Sequence, residues 1–203
     1  MIEPKNNIVI KGFFKYYTIW KIRRHFADIK IDLEYNDQKL PLLVIANHFS
    51  WWDGFWINYL NTKYFKRNLY FMMLEDQLKK YWFFQYTGGY SVKKNSRSLD
   101  QSLNYTAQLL ENPRNLVFMF PQGEIQSSFI DKPVFEKGLQ IILNRCKNPV
   151  DLVFVANKTE YFSNQKPTWY SKVRQYKGEL IFANIQKDYQ VFYNQFIKQH
   201  INN

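Results

Sequence analysis

Six consecutive residues, Pro41-Leu42-Leu43-Val44-Ile45-Ala46, carry no polar side chain and run straight into Asn47-His48. A half-exposed strand would alternate polar and apolar positions, so this run suits a strand buried on both faces. Such strands belong to parallel or mixed sheets with helices covering each side. Further candidate strands lie at residues 69–73, 90–93, 115–120, 150–155 and 179–183, and helical patterns fall between them. In one helix Ser98 and Gln101 have the spacing of a capping box. Leu99, Leu103, Thr106 and Leu110 mark a single face, and Pro113 closes the segment. Another helix runs over 135–146 with Leu139, Ile142 and Leu143 inward. Strand and helix alternate through the middle of the chain. The expected fold is a single layered α/β domain, its sheet mixed or mostly parallel, with an N-terminal amphipathic helix ahead of it.

Composition narrows the class. The chain has 203 residues with only 7 Gly and 7 Pro, and 18 Phe, 15 Tyr and 6 Trp make 19% of it aromatic. That argues against collagen-like, low-complexity or disordered chains and for one full-sized core. The single cysteine, Cys146, permits no internal disulfide, fits a reducing compartment and sits in an apolar helical pattern as an inert core thiol. The longest stretch without a charged side chain, 40–52, is too short for a bilayer span, and no apolar signal core follows the first residues. The expected location is cytoplasmic, peripheral on the inner face of the membrane.

Lys and Arg number 28 against 17 Asp and Glu, a net charge of +11, which points to an anionic partner. Between residues 8 and 26, Val9, Phe13, Tyr16 and Trp20 fall at helical spacing. Lys11, Lys15 and Ile22 form another stripe, with Lys21, Arg23 and Arg24 close behind. A basic helix with aromatics on one side has the composition of an interfacial membrane anchor, and equally of a helix packed on its own domain with its cations in water. Residues 1–40 are read as this amphipathic, membrane-associating segment and 41–203 as the domain.

The chemistry gathers after the first buried strand. His48 and Asp53 are five residues apart, and a helix starting after His48 would bring the Asp53 carboxylate back to accept an imidazole N–H. The other ring nitrogen is then a base, and the carboxylate stabilises the imidazolium it becomes. A substrate hydroxyl can be the group deprotonated, so no serine or cysteine nucleophile is needed. Downstream come Gly88-Gly89-Tyr90-Ser91-Val92-Lys93-Lys94, then Phe120-Pro121-Gln122-Gly123-Glu124-Ile125, then Phe135-Glu136-Lys137-Gly138. Gly123 lets backbone approach closely. Lys93, Lys94 and Arg97 form a basic cluster just past a strand end, suited to phosphate or simply to water. Lys137 is as well suited to the surface as to a phosphate. His25 and His200 have no partner, and no cluster has metal-ligand spacing.

In these blocks the chain resembles the glycerolipid acyltransferases typified by 1-acylglycerol-3-phosphate acyltransferase. Their Asn-His-x-Ser-x-x-Asp is matched by Asn47, His48, Ser50 and Asp53. Their Gly-rich strand ending in a basic residue is matched from Gly88 or Gly89 to Lys94, and their Phe-Pro-Glu-Gly-Thr-Arg by Phe120 to Ile125. The resemblance covers about residues 41–155. It implies that His48, oriented by Asp53, takes a proton from a lyso-lipid hydroxyl, which attacks the thioester of acyl-CoA or acyl-carrier protein. It further implies an oxyanion met by backbone N–H groups around Gly123 and substrate contacts from Lys93, Lys94, Arg97 and Gln122. No cofactor is required beyond the acyl donor as co-substrate.

Three departures bear on the acceptor. Gln122, Glu124 and Ile125 replace the family's Glu, Thr and Arg. Without the guanidinium a bidentate phosphate clamp is lost, and Glu124 would repel a phosphate there. The acceptor is then 1-acylglycerol 3-phosphate held by the other basic residues, or a related lysolipid without that phosphate. Val155-Ala156-Asn157 also lacks the family's strand-ending proline, which implies altered geometry rather than lost chemistry. Two other classes compete. A non-catalytic lipid-binding protein at a membrane surface would share the basic aromatic helix but have no use for His48 and Asp53. A nucleic-acid partner is not expected, since the cations are dispersed and no nucleic-acid motif is present.

Overall fold

The computed structural model of the chain describes residues 1–5, 7–93 and 97–201, with Arg97, His200 and Ile201 by backbone alone. It opens with helix α1 (Ile8–His25), capped by Asn7, whose side-chain oxygen accepts the Ile10 N–H at 3.0 Å. Strand β1 (Asp28–Glu34), strand β2 (Leu42–Ala46) and helix α2 (Asp53–Leu60) follow, and a π-helical turn (Asn61–Phe65) extends α2. Then come β3 (Asn68–Leu74), α3 (Glu75–Lys80), a 3-10 segment (Trp82–Thr87) and β4 (Gly89–Val92). The chain continues through α4 (Arg97–Leu109), β5 (Asn115–Met119), α5 (Gly138–Arg145), β6 (Asp151–Glu160), β7 (Thr168–Gln175) and α6 (Phe182–Ile201).

The strands form one sheet in the order β1-β7-β6-β2-β5-β3-β4, in which every neighbouring pair is parallel except β6 and β7. The apolar run explains why β2 is central. Leu43 and Ile45 enter one core, with Leu139, Ile142, Tyr189 and Phe192 of the α5 and α6 side. Leu42, Val44 and Ala46 enter the other, with Ile22, Trp56, Ile57 and Leu60 from α1 and α2. All five β2 residues are fully buried, and each Leu, Val or Ile contributes about 1.5–3 kcal/mol from burial alone. The glycine at 88 is sterically required: its φ is +110°, and a Cβ there would lie 1.9 Å from the Leu69 carbonyl oxygen.

The strands expected over 69–73, 90–93, 115–120 and 150–155 are β3, β4, β5 and β6. Elsewhere the architecture departs from expectation. Residues 179–183 form no strand: Leu180 and Ile181 are exposed, and the chain enters α6 at Phe182. The antiparallel pair β6 and β7 forms a hairpin, with the turn at 161–167. Ser98 lies inside the first turn of α4, which starts at Arg97, and so does not cap it. The sheet also takes an edge strand, β1, from the segment ahead of residue 41.

Helix α1 docks through the face bearing Thr18 and Ile22, with Phe14 stacked on Phe83 at 5.4 Å and Thr18 Oγ1 accepting the Asn58 amide at 2.7 Å. The stripe of Val9, Phe13, Tyr16 and Trp20 points the other way, 53–80% exposed. The helix is therefore packed on the domain, but not through its aromatic stripe. No described helix is long and apolar enough to cross a membrane.

Candidate active site

Parallel strands place their carboxyl ends on one edge of the sheet, and open α/β sheets carry ligands beyond that edge. Ala46 is the last ladder residue of β2, paired with Val155 of β6. The main chain then leaves the ladder, and Asn47 substitutes its side chain. Its Nδ2 donates to the Asn157 carbonyl at 2.9 Å, and its Oδ1 accepts the Asn157 N–H at 2.8 Å. The absent proline matters here: β6 continues unbroken through Asn157, whose N–H a proline at that position would lack.

His48 and Asp53 meet as their spacing predicts. Asp53 opens α2, and its Oδ2 accepts three donors: His48 Nδ1 at 2.6 Å and the backbone N–H groups of Phe49 and Ser50 at 2.9 Å each. Three N–H groups converging on one oxygen call for the carboxylate, so in the neutral imidazole the proton sits on Nδ1 and the lone pair on Nε2. Burial pushes the Asp53 carboxyl above the usual carboxylate range, while His48, Ser50 and Phe49 pull in the opposite direction. Asp53 is 1% exposed, whereas the His48 side chain is 22% exposed and so is reachable from outside. Ser50 supports the turn, its Oγ accepting the Trp52 N–H at 3.1 Å.

The third block is built against His48. Phe120 stacks flat on the imidazole, with ring centroids 3.7 Å apart and planes 6° from parallel. Pro121 is buried, and its carbonyl accepts the Glu136 N–H at 2.7 Å. Gln122, expected to touch substrate, is buried and committed elsewhere: its Oε1 accepts the His48 backbone N–H at 2.7 Å, and its amide bonds Gln126. Gln126 returns its own N–H to the His48 carbonyl at 2.9 Å. The His48 peptide is thus held at both polar ends. Gly123 adopts φ +73° and donates its N–H to the Phe120 carbonyl at 3.1 Å, closing the turn. Its own N–H is therefore spent, while those of Glu124 and Ile125 make no hydrogen bond among the described residues.

The basic cluster is farther off. Lys93 is exposed just past the end of β4, which lies three strands from β2, about 14 Å at ordinary strand spacing. Lys94 lies outside the described residues, and Arg97 begins α4 with its side chain outside the description. Among the described residues, no group of three His, Cys, Asp or Glu is placed to hold a metal ion. Sequence reasoning missed Gln126, Asn157 and Trp169, whose indole Nε1 donates to Asn157 Oδ1 at 3.0 Å.

A search of curated protein sequences found no match. Among solved structures the chain resembles the crystal structure of the 1-acyl-sn-glycerophosphate (LPA) acyltransferase PlsC from Thermotoga maritima. The two are 18% identical with a TM-score of 0.65, over 96% of this chain and 79% of that one, a likeness of fold. The family model described as Acyltransferase matches residues 28–167, well over half of the sequence, including His48, Asp53 and the Phe120–Gly123 turn. The chain belongs to the acyltransferase family.

Proposed function

We propose that the protein transfers a fatty acyl group from acyl-CoA or acyl-carrier protein to a hydroxyl of a lyso-lipid, with His48 as general base. The observation that carries this reading is the 2.6 Å contact between His48 Nδ1 and a buried, triply bonded Asp53 carboxylate, with Nε2 left as the base. Nε2 takes the proton of the acceptor hydroxyl as its oxygen attacks the thioester carbonyl. The oxyanion that forms is met by N–H groups of the Gly123 turn, those of Glu124 and Ile125. Collapse of the intermediate breaks the C–S bond, and the imidazolium returns the proton to the departing thiolate. No metal or other cofactor has a role in this scheme.

The acceptor is a 1-acylglycerol 3-phosphate or a related lysolipid. Glu124 and the exposed Ile125 offer no cation beside His48, so a headgroup phosphate would be met from the β4 side by Lys93, with Lys94 and Arg97, or the acceptor carries none. The exposed aromatic stripe of α1, with the exposed Arg23 and Arg24 beside its C-terminal end, supports cytoplasmic residence with peripheral attachment to the inner, anionic membrane face. That stripe favours one second reading, a non-catalytic lipid-binding protein on the same scaffold.

Thiol release from palmitoyl-CoA and from acyl-carrier protein, measured with vesicles and a panel of lyso-lipids, separates the two. Acceptor-dependent release that vanishes in His48→Ala is the expected result. No release with any acceptor, while wild type and variant bind vesicles alike, would replace catalysis by lipid binding.

A further inference from the structure

We propose that Trp169 is a positioning residue for the catalytic pair, holding the support of His48 with its N–H and the support of Asp53 with its ring. It lies on β7, beyond the span that the family model matches and outside every motif block. Its role as a positioner of chemistry rests on the acyl-transfer reading, while its role in holding the His48–Asp53 contact does not.

Trp169 is completely buried. On one side its Nε1 donates to Asn157 Oδ1 at 3.0 Å; among the described residues this is the one hydrogen bond made by the Asn157 side chain, whose Nδ2 is buried without a partner there. The backbone of that same Asn157 exchanges two hydrogen bonds with Asn47, the residue before His48. On the other side the indole stacks on Trp56 at 5.5 Å and 11° from parallel, and meets Tyr59 edge-on at 5.5 Å. Trp56 lies one turn along α2 from Asp53. A single rigid side chain therefore touches the lateral anchor of one catalytic residue and the helix that carries the other.

The main chain needs such a brace at this place. Past Ala46 the β2–β6 ladder has ended, and His48 is free of the sheet's own hydrogen bonds. Gln122 and Gln126 grip its peptide from the β5 side, and the Asn47–Asn157 clasp grips it from the β6 side. Trp169 ties that second grip to α2. Loosening it lets the imidazole and the carboxylate drift relative to each other, and a misplacement near 1 Å costs a catalytic site roughly 100-fold in rate.

Trp169→Phe keeps most of the ring contact with Trp56 and removes the N–H. The expected result is a fall in kcat of about tenfold with KM within about twofold, because orientation rather than binding is lost. Asn157→Ala should show the same loss, and the double variant should be no worse than Asn157→Ala alone. The far-downfield proton NMR resonance of the His48 Nδ1–H, assigned by its disappearance in His48→Gln, should shift or broaden in Trp169→Phe. Val173→Ala is the packing control: it trims the same strand and the same core but makes neither the Asn157 hydrogen bond nor the Trp56 stack, and should leave that resonance and kcat in place.

Wild-type kcat and an unmoved resonance in Trp169→Phe would overturn the proposal, as would an equal loss in Val173→Ala. If Trp169→Phe fails to fold, Asn157→Ala decides the matter through the same resonance. If the wild type turns over no acceptor, the acyl-transfer reading falls while the resonance still tests the brace.

Discussion

Replacing Asp53 by asparagine removes a charge while leaving a shape. The two backbone donors, Phe49 and Ser50, require an oxygen at the Oδ2 position. The carbonyl of the new amide takes that place, and its NH2 falls where Oδ1 of Asp53 now has no partner. The imidazole can then keep its Nδ1–H bond and its tautomer, and what is lost is the attraction between a carboxylate and the imidazolium formed on proton transfer. With charge centres about 4 Å apart and an effective dielectric near 20, that attraction is about 4 kcal/mol, or roughly a thousandfold in kcat. Thiol release from palmitoyl-CoA at saturating acceptor measures it, with KM expected to stay put. Activity within tenfold of wild type would refute the argument, because the carboxylate would then contribute geometry alone. Stability gives a second check with a definite sign. The folded Asp53 carboxyl is raised above its ordinary 3.8 by burial. Its contribution to stability is therefore fully present below the unfolded value and lost as pH rises through the folded one. Asp53→Asn lacks that loss. Urea unfolding should show the difference moving in the variant's favour as pH rises above the unfolded value of about 4.

Gly88→Ala should cost at least about 2 kcal/mol, since a Cβ 1.9 Å from the Leu69 oxygen adds a backbone clash to a positive φ, and a stability equal to wild type in urea would contradict that geometry. Burial and the nearby Glu111 raise the Cys146 thiol from 9.0 to about 11, so its thiolate fraction at pH 8 falls about 100-fold. Reaction with iodoacetamide should be slow in the native protein and fast in urea. The triple variant Phe13→Ser, Tyr16→Ser and Trp20→Ser should melt within a few degrees of wild type, because the three side chains are mostly solvated. Its binding to anionic vesicles, read by sedimentation, should fall at least about tenfold, and unchanged binding would remove α1 from any membrane contact.

Much of the fold could be read from the chain because its central strands are buried on both faces, where apolar runs are uninterrupted. Strand β1 was missed although the chain carries its signal in a different period: Asp28-Ile29-Lys30-Ile31-Asp32-Leu33-Glu34 alternates without a fault, as an edge strand with one solvated face should. Strand β7 hides because Ser171 and Lys172 are buried between two neighbouring strands, so its sequence shows neither an apolar run nor alternation. Residues 179–183 mislead for the opposite reason: Leu180 and Ile181 are apolar yet exposed. In the site, the His48–Asp53 contact is local and follows from a five-residue spacing. The Asn47–Asn157 clasp spans 110 positions, and no local pattern announces it. Gln122 was legible as a motif position but not in its role. A turn geometry set by Gly123 and Phe120 decides that its amide faces the His48 peptide instead of a substrate.

Helix α1 has one more property that follows from where its ends are fastened. Before it, Ile2 exchanges hydrogen bonds with Ser91 of β4, and Lys5 bonds the Gln85 carbonyl. After it, Ala27 bonds the Pro167 carbonyl at the start of β7. Eighteen residues of helix span about 27 Å, close to the roughly 29 Å across seven strands. The helix is a strap laid from one margin of the sheet to the other, not an arm on a swivel. From its exposed stripe, rings pass in contact through Tyr17 and Phe55 to Trp51, three residues from His48. Whatever surface the stripe meets, the bearing and height of the imidazole above it are set by the fold. Under the proposed membrane attachment, changes to the stripe alter whether the protein lands, and changes to the two fastenings alter the angle at which it does.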